Sequence, residues 1–258
     1  MPAHHIAPMV HQPFVRVVDL ETTGSRPPAH GVVEIGWQDV AQAGDGAWHV
    51  GESRGARFVN PGRAIPAVTQ AVHHIIDSDV ADAPFWPEIA PSILRTEALA
   101  LAAHRASFEE RFCTPALSGG ARWICTWKCA LRLWPGSPSF SNQVLRYWRN
   151  PVGLVRELGL PAHRAFPDAY VTAHHLRDML AQASVAQLIA WSSLPGLLPR
   201  VPYGAERGRE WRELDDATLA RFRGDRDEDV RYSAEHEAER RGGGRSEEPA
   251  PARQASLF

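Results

Sequence analysis

The chain has 258 residues, 44% of them hydrophobic, and a formal net charge of −2. That length is enough for one good-sized α/β core with a small appendage. The near-neutral balance excludes a broad basic surface that coats duplex DNA, and no apolar run is long enough to cross a membrane.

Residues 1–13 hold His4, His5 and His11 among prolines, with no periodic pattern, and read as a disordered tail. The apolar run from Phe14 reads as the first strand, over residues 14–20. Val32–Val40 and Trp48–Val59 read as the next two, parted by the turn Gly44-Asp45-Gly46, so three strands in meander are predicted. Pro66–His74 and Pro84–Leu94 are predicted helices. Ala98–Ala103 is a short buried strand, and Ser107–Phe112 opens a helix with Glu109 on its first turn. Trp123–Thr126 is the last strand. Helices follow over Trp127–Trp134 and Asn142–Trp148. Pro167 and Asp168 mark the first turn of a helix that continues through Leu176 and Leu180. Strands first, then strands alternating with helices, fit a mixed sheet covered by helices. The spacing of Trp127 and Trp134 reads as core, and His174 and His175 read as packing or surface residues.

Chemistry concentrates at three places. Asp19-Leu20-Glu21-Thr22-Thr23-Gly24 ends the first strand, and side chains at i and i+2 of a strand share a face. Two aligned carboxylates repel and resist burial unless a cation sits between them. Ala103-His104-Arg105-Ala106-Ser107-Phe108-Glu109 follows an apolar strand. His163-Arg164-Ala165-Phe166-Pro167-Asp168 puts an imidazole just before a helix start and a carboxylate on its first turn. Cys113, Cys125 and Cys129 lack CxxC spacing, and their odd number reads as reduced packing thiols in a cytoplasmic protein.

Taken in order, these stretches resemble the three motifs of the DEDDh 3′-to-5′ exonucleases, the family of ribonuclease T and the proofreading subunit of bacterial replicative polymerase. Val59-Asn60-Pro61-Gly62 and Val72-His73-His74-Ile75 resemble the family's stretch between its first two motifs. The resemblance covers about residues 14–182. It implies a ribonuclease-H-like fold, an α/β mixed five-stranded sheet covered by helices. It implies further that Asp19, Glu21, Glu109 and Asp168 hold two divalent cations, Mg2+ or Mn2+, and that His163 takes a proton from the attacking water. Leu20, Thr22, Thr23, Gly24, His104 and Arg105 are then the substrate-binding residues. Two positions depart from the family pattern. Glu109 stands where Asp is usual, one methylene longer, which moves the carboxylate outward by roughly 1.5 Å. Arg105 stands where Asn is usual, and would pair either with a substrate phosphate or with Glu109.

The domain reading is an exonuclease domain over 14–183, a linker over 184–199, a small module over 200–241 and a disordered tail over 242–258. Pro202-Tyr203-Gly204-Ala205-Glu206-Arg207-Gly208, then Trp211, resembles the C-terminal module of exodeoxyribonuclease X-like proteins. In that module Asp215-Asp216-Ala217 starts a short helix and Asp227–Arg241 forms a charged second one. Arg207 and Arg209 alternate with Glu206 and Glu210, as in a salt-bridged solvated surface. The chain closes Gln254-Ala255-Ser256-Leu257-Phe258, which resembles the peptide that docks polymerases and repair proteins on the DNA sliding clamp. Gln254 would hydrogen-bond at one end while Leu257 and Phe258 fill an apolar cleft. The expected function is release of nucleoside 5′-monophosphates from single-stranded DNA 3′ ends, tethered to the clamp, in repair or proofreading. The alternatives are an RNA-trimming exonuclease of the same fold, or a clamp-bound adaptor with a decayed site. No sequence feature decides the oligomeric state.

Overall fold

A computed structural model describes residues 12–243. Five strands form one sheet: β1 (Phe14–Thr22), β2 (Val32–Gln42), β3 (Trp48–Phe58), β4 (Leu101–Ala103) and β5 (Trp123–Cys125), in the spatial order β3-β2-β1-β4-β5. The first three pair antiparallel, as their short turns require, while β4 joins β1 and β5 joins β4 in parallel. This is the mixed five-stranded ribonuclease-H-like sheet. Between β3 and β4 come α1 (Ala67–His73), α2 (Asp77–Val80) and α3 (Trp86–Leu94), and between β4 and β5 α4 (Glu109–Phe112) and α5 (Pro115–Ser118). Then follow α6 (Thr126–Leu133), α7 (Asn142–Arg149), α8 (Ala165–Leu180) and α9 (Val185–Ser193), with α10 (Asp216–Phe222) and α11 (Glu228–Arg241) in the C-terminal module.

Alternation along β1 divides the core. Val15 and Val17 pack with Ala169, Ala173, Leu176 and Met179 of α8 on one face. Val18 and Leu20 pack with Ala90, Ile93, Leu94 and Phe112 on the other. α8 crosses β1, β2 and β3. It comes that close because Gly36 of β2 has no side chain: a Cβ there would lie 2.2 Å from the Ala165 carbonyl carbon and 2.3 Å from the Phe166 nitrogen.

The stretch 184–199, expected to be a linker, is not one. Residues 185–193 form α9, capped by Ser184, whose hydroxyl accepts from the Gln187 N–H at 3.2 Å. α9 packs on β5 and α6, with Leu188 fully buried. The stretch that follows is packed as well: Gly196 lies against Trp127, and Leu198 joins both the Trp127 cluster and the module's core. That small core comprises Val201, Trp211, Leu214, Leu219, Phe222, Val230 and Ala234. Arg132 of α6 donates to the Tyr232 hydroxyl at 3.0 Å, tying the module to the sheet domain. Trp127 and Trp134 are buried, and so are all three free cysteines. Among the described residues no helix is long and apolar enough to cross a membrane.

Candidate active site

Asp19 and Glu21 stand on the α8 side of β1, and α8 brings Asp168 to them. One carboxylate oxygen from each of the three lies within 4.8 Å of the others. Burial, then the charges of Asp168, Glu21 and Glu109, hold the Asp19 carboxyl well above the usual carboxylate range. Burial, with Asp168 and Glu34, pushes Glu21 up to about 8 against the opposing pull of Arg164. Three crowded acids in a largely buried site favour protons or cations, and hard divalent cations are the natural occupants of an all-oxygen set.

Glu109 heads α4, buried, and burial pushes its carboxyl up to about 8, with Glu110 and Glu21 adding to the effect. Its Oε2 is buried with no hydrogen-bond partner among the described residues. It is not one of the three acids that share the 4.8 Å cluster, although its charge reaches Asp19. An orphaned carboxylate oxygen beside a carboxylate cluster is what a cation ligand looks like without its cation. The donor set therefore fits divalent metal.

The third motif is held by contacts that no local pattern announces. Arg164 forks onto Glu34 of β2, with Nη2–Oε1 at 2.6 Å and Nε–Oε2 at 3.0 Å, and the Ala165 N–H donates to the same carboxylate at 3.0 Å. Glu34 is the ladder partner of Glu21. The fork thus pins the start of α8 to the strand beside the acids. The His163 N–H donates to Asp168 Oδ2 at 2.6 Å, while Gln143 Nε2 of α7 donates to Oδ1 at 2.9 Å. His163 is exposed and takes a left-handed backbone, φ +61. Its main chain is thereby fixed to the carboxylate while its ring stays accessible.

The first-motif turn is built from its own side chains. The Thr22 hydroxyl donates to the Gly24 carbonyl at 2.8 Å, and the Thr23 hydroxyl accepts from the Gly31 N–H at 2.9 Å. Both threonines are buried, so they shape the turn, and Gly24 is its half-exposed point. Gly24 has φ +148, and a Cβ there would meet the His30 ring at 2.2 Å.

Two expected substrate contacts are corrected. Leu20 is 5% exposed and packs in the opposite core, because alternation turns it away from the face that carries Asp19 and Glu21. His104 uses both ring nitrogens internally, Nδ1 with Thr126 Oγ1 at 3.0 Å and Nε2 with the Phe140 carbonyl at 2.8 Å. Burial pulls it down to about 4, so it is a neutral latch between β4 and α6. Arg105 stacks over Trp127, 4.2 Å from ring centre to guanidinium carbon. No ion pair joins it to Glu109 among the described residues. Sequence reasoning missed Glu34, Gln143 and Arg164. It also missed the role of His73, whose buried Nδ1 accepts from the Ile75 N–H at 3.0 Å; burial pulls its imidazole down, against the opposing effects of the Thr22 backbone and the Glu34 charge. Arg164 sits inside the third motif and was the one with a visible signal.

No protein-family model matches the chain. Over 198 residues it is 34% identical to exodeoxyribonuclease 10 of Escherichia coli strain K12, covering 76% of this chain and 83% of the relative. A solved structure of exonuclease X in complex with 5′ overhanging duplex DNA is 31% identical, with a TM-score of 0.57 over 69% of this chain and 99% of that one. Exonuclease I of E. coli in complex with a dA16 oligonucleotide aligns with a TM-score of 0.51 at 13% identity over 70% of this chain and 43% of that one, a likeness of fold alone. The order of the motifs, the sheet that converges their acids and this identity agree: the chain belongs to the exodeoxyribonuclease 10 branch of the DEDDh 3′-to-5′ exonucleases.

Proposed function

We propose that the chain removes nucleotides one at a time from single-stranded DNA 3′ ends and releases nucleoside 5′-monophosphates. The observation that carries this reading is the convergence of Asp19, Glu21 and Asp168 within 4.8 Å, with His163 bonded through its main chain to Asp168. Asp19, Glu21 and Asp168, with Glu109 from α4, are the residues that would hold two divalent cations, Mg2+ or Mn2+. Such a pair supplies charge for the scissile phosphate and for both reacting oxygens. His163 accepts the proton of the attacking water, a step suited to an imidazole on an accessible loop. The turn at Thr22–Gly24 offers backbone to the terminal nucleotide, since Gly24 permits close approach. Gln143 and the His163 N–H keep Asp168 oriented as charge develops.

The test is Mg2+-dependent nucleotide release from a labelled oligonucleotide, in matched DNA and RNA forms. Asp19→Ala should abolish release. Unchanged release by that variant removes the site assignment, and faster release from the RNA form transfers the activity to RNA trimming.

The clamp peptide, Gln254, Leu257 and Phe258, lies outside the described residues. We extend the proposal to a sliding-clamp tether on the sequence alone: the last five residues resemble a clamp-docking peptide, and tethering raises the local concentration of nuclease at a clamp-bound end. Deleting residues 254–258 should eliminate clamp pull-down and spare hydrolysis of free oligonucleotides. Equal clamp retention by the truncated chain discards the tether.

A further inference from the structure

α7 leaves an aromatic side chain in water one turn beyond the residues that bond to Asp168. Asn142 and Gln143, at its start, donate to Asp168 Oδ1 at 3.3 and 2.9 Å. Tyr147 follows Gln143 by four residues, so it lies one turn further along the same face, with the two Cβ atoms about 6 Å apart. It is 64% exposed, and its hydroxyl bonds to no described residue. The ring is not adrift. Arg146 places its guanidinium carbon 5.2 Å from the ring centre. Arg146 is itself buried and anchored to the Gly159 and Arg156 carbonyls at 2.5 and 2.9 Å. A fixed cation stands beside the ring, and much of the ring remains open to solvent.

A large apolar ring in water gains nothing by itself. Its place narrows what covers it. It continues the face that touches an acid of the cleavage site, and Trp148 at the end of α7 and Val152 and Val155 in the loop after it, further along the chain toward His163, are exposed as well. The exposed Arg156 nearby supplies positive charge for a polyanion. An unpaired base has a flat apolar surface of matching size, and stacking on an aromatic ring tolerates any base.

We propose that Tyr147 is a stacking platform for a nucleobase one or two positions upstream of the terminal nucleotide. The proposal rests on the reading of the chain as a single-strand exonuclease. It adds a residue outside all three motifs that sets how the strand behind the reacting end is held.

The experiment compares the full-length wild type, Tyr147→Ala and Tyr147→Phe on three substrates: a thymidine oligonucleotide, the same strand with abasic sites at the second and third positions from the 3′ end, and the p-nitrophenyl ester of thymidine 5′-monophosphate. Tyr147→Ala should raise KM for the intact strand about tenfold, with kcat within about twofold. Tyr147→Phe, which keeps the ring, should match the wild type. On the abasic strand and on the ester, which offer no upstream base, all three proteins should have the same KM. An unchanged KM of Tyr147→Ala on the intact strand overturns the proposal. So does an equal loss on the abasic strand or the ester, which would mark a structural role. Failure of the wild type itself to cleave the intact strand overturns the single-strand reading, and the platform with it.

Discussion

Gly36→Ala tests whether the close seat of α8 on β2 sets the cleavage geometry. The added Cβ would stand 2.2 Å from the Ala165 carbonyl carbon and 2.3 Å from its oxygen, all backbone atoms, whereas ordinary contact begins at 3.4 Å. The start of α8 must therefore lift by about 1.2 Å, the difference between 3.4 and 2.2 Å. β2 cannot retreat instead, because it is paired on both sides and Gly36 is the direct ladder partner of Asp19. Asp168 sits three residues beyond Ala165, so the lift opens the three-acid cluster. A misplacement of about 1 Å costs on the order of a hundredfold in rate. Overpacking of this kind costs about 1–3 kcal/mol of stability, which lowers Tm by roughly 5 °C in a chain of this size. The assay is kcat for Mg2+-dependent release from a single-stranded oligonucleotide, with Tm followed by circular dichroism. Gly44→Ala is the control, since nothing lies within 4 Å of a Cβ there. A Gly36→Ala protein with the kcat and Tm of the wild type refutes the argument.

Two further outcomes follow from the buried titratable groups. Glu21 and Glu109 bind a proton near pH 8 in the metal-free folded chain, against 4.5 for an ordinary glutamate. The folded state holds more protons than the unfolded one between those values, so metal-free stability falls as pH rises through that window. In the upper part, from pH 6.5 to 8, Tm in chelator should drop, and Mg2+ should raise it more at pH 8 than at pH 6.5; a flat chelator profile refutes the burial of these charges. His104→Ala should leave KM for single-stranded DNA within about twofold, because both ring nitrogens serve the interior. It leaves the Phe140 carbonyl without its partner, at a cost of about 2 kcal/mol, while the Thr126 hydroxyl keeps its bond to the Ala103 carbonyl. A large rise in KM with no loss of Tm would return His104 to the substrate. The same latch gives an acid limb. His104 titrates near 4 when folded and 6.5 when free, so its contribution is present above pH 6.5 and lost as pH falls through about 4.

Much of the site was legible because its signals are local. Asp19 and Glu21 share a face by the period of a strand, and the structure keeps them together. The same period argued against Leu20 as a substrate contact, since the residue between two aligned acids must point away; the family resemblance carried it into the site, and its 5% exposure takes it out. α9 was also legible. Ser184 and Gln187 form the opening of a capped helix, but the prolines beyond drew the stretch into a linker. His104 was not legible, because nothing near it in sequence names Thr126 or Phe140 as partners.

The chain's order of strand, turn and helix, its paired acids and its third motif are written in short-range pattern, because side-chain periodicity and turn chemistry act over a few residues. What the sequence could not supply is closure across distance. Arg164 meets Glu34 over 130 positions, Gly36 admits the backbone of Ala165, and Glu109 stands beside rather than within the three-acid cluster. Those relations exist only once the sheet is assembled, since packing is decided by which surfaces meet and not by which residues are neighbours along the chain.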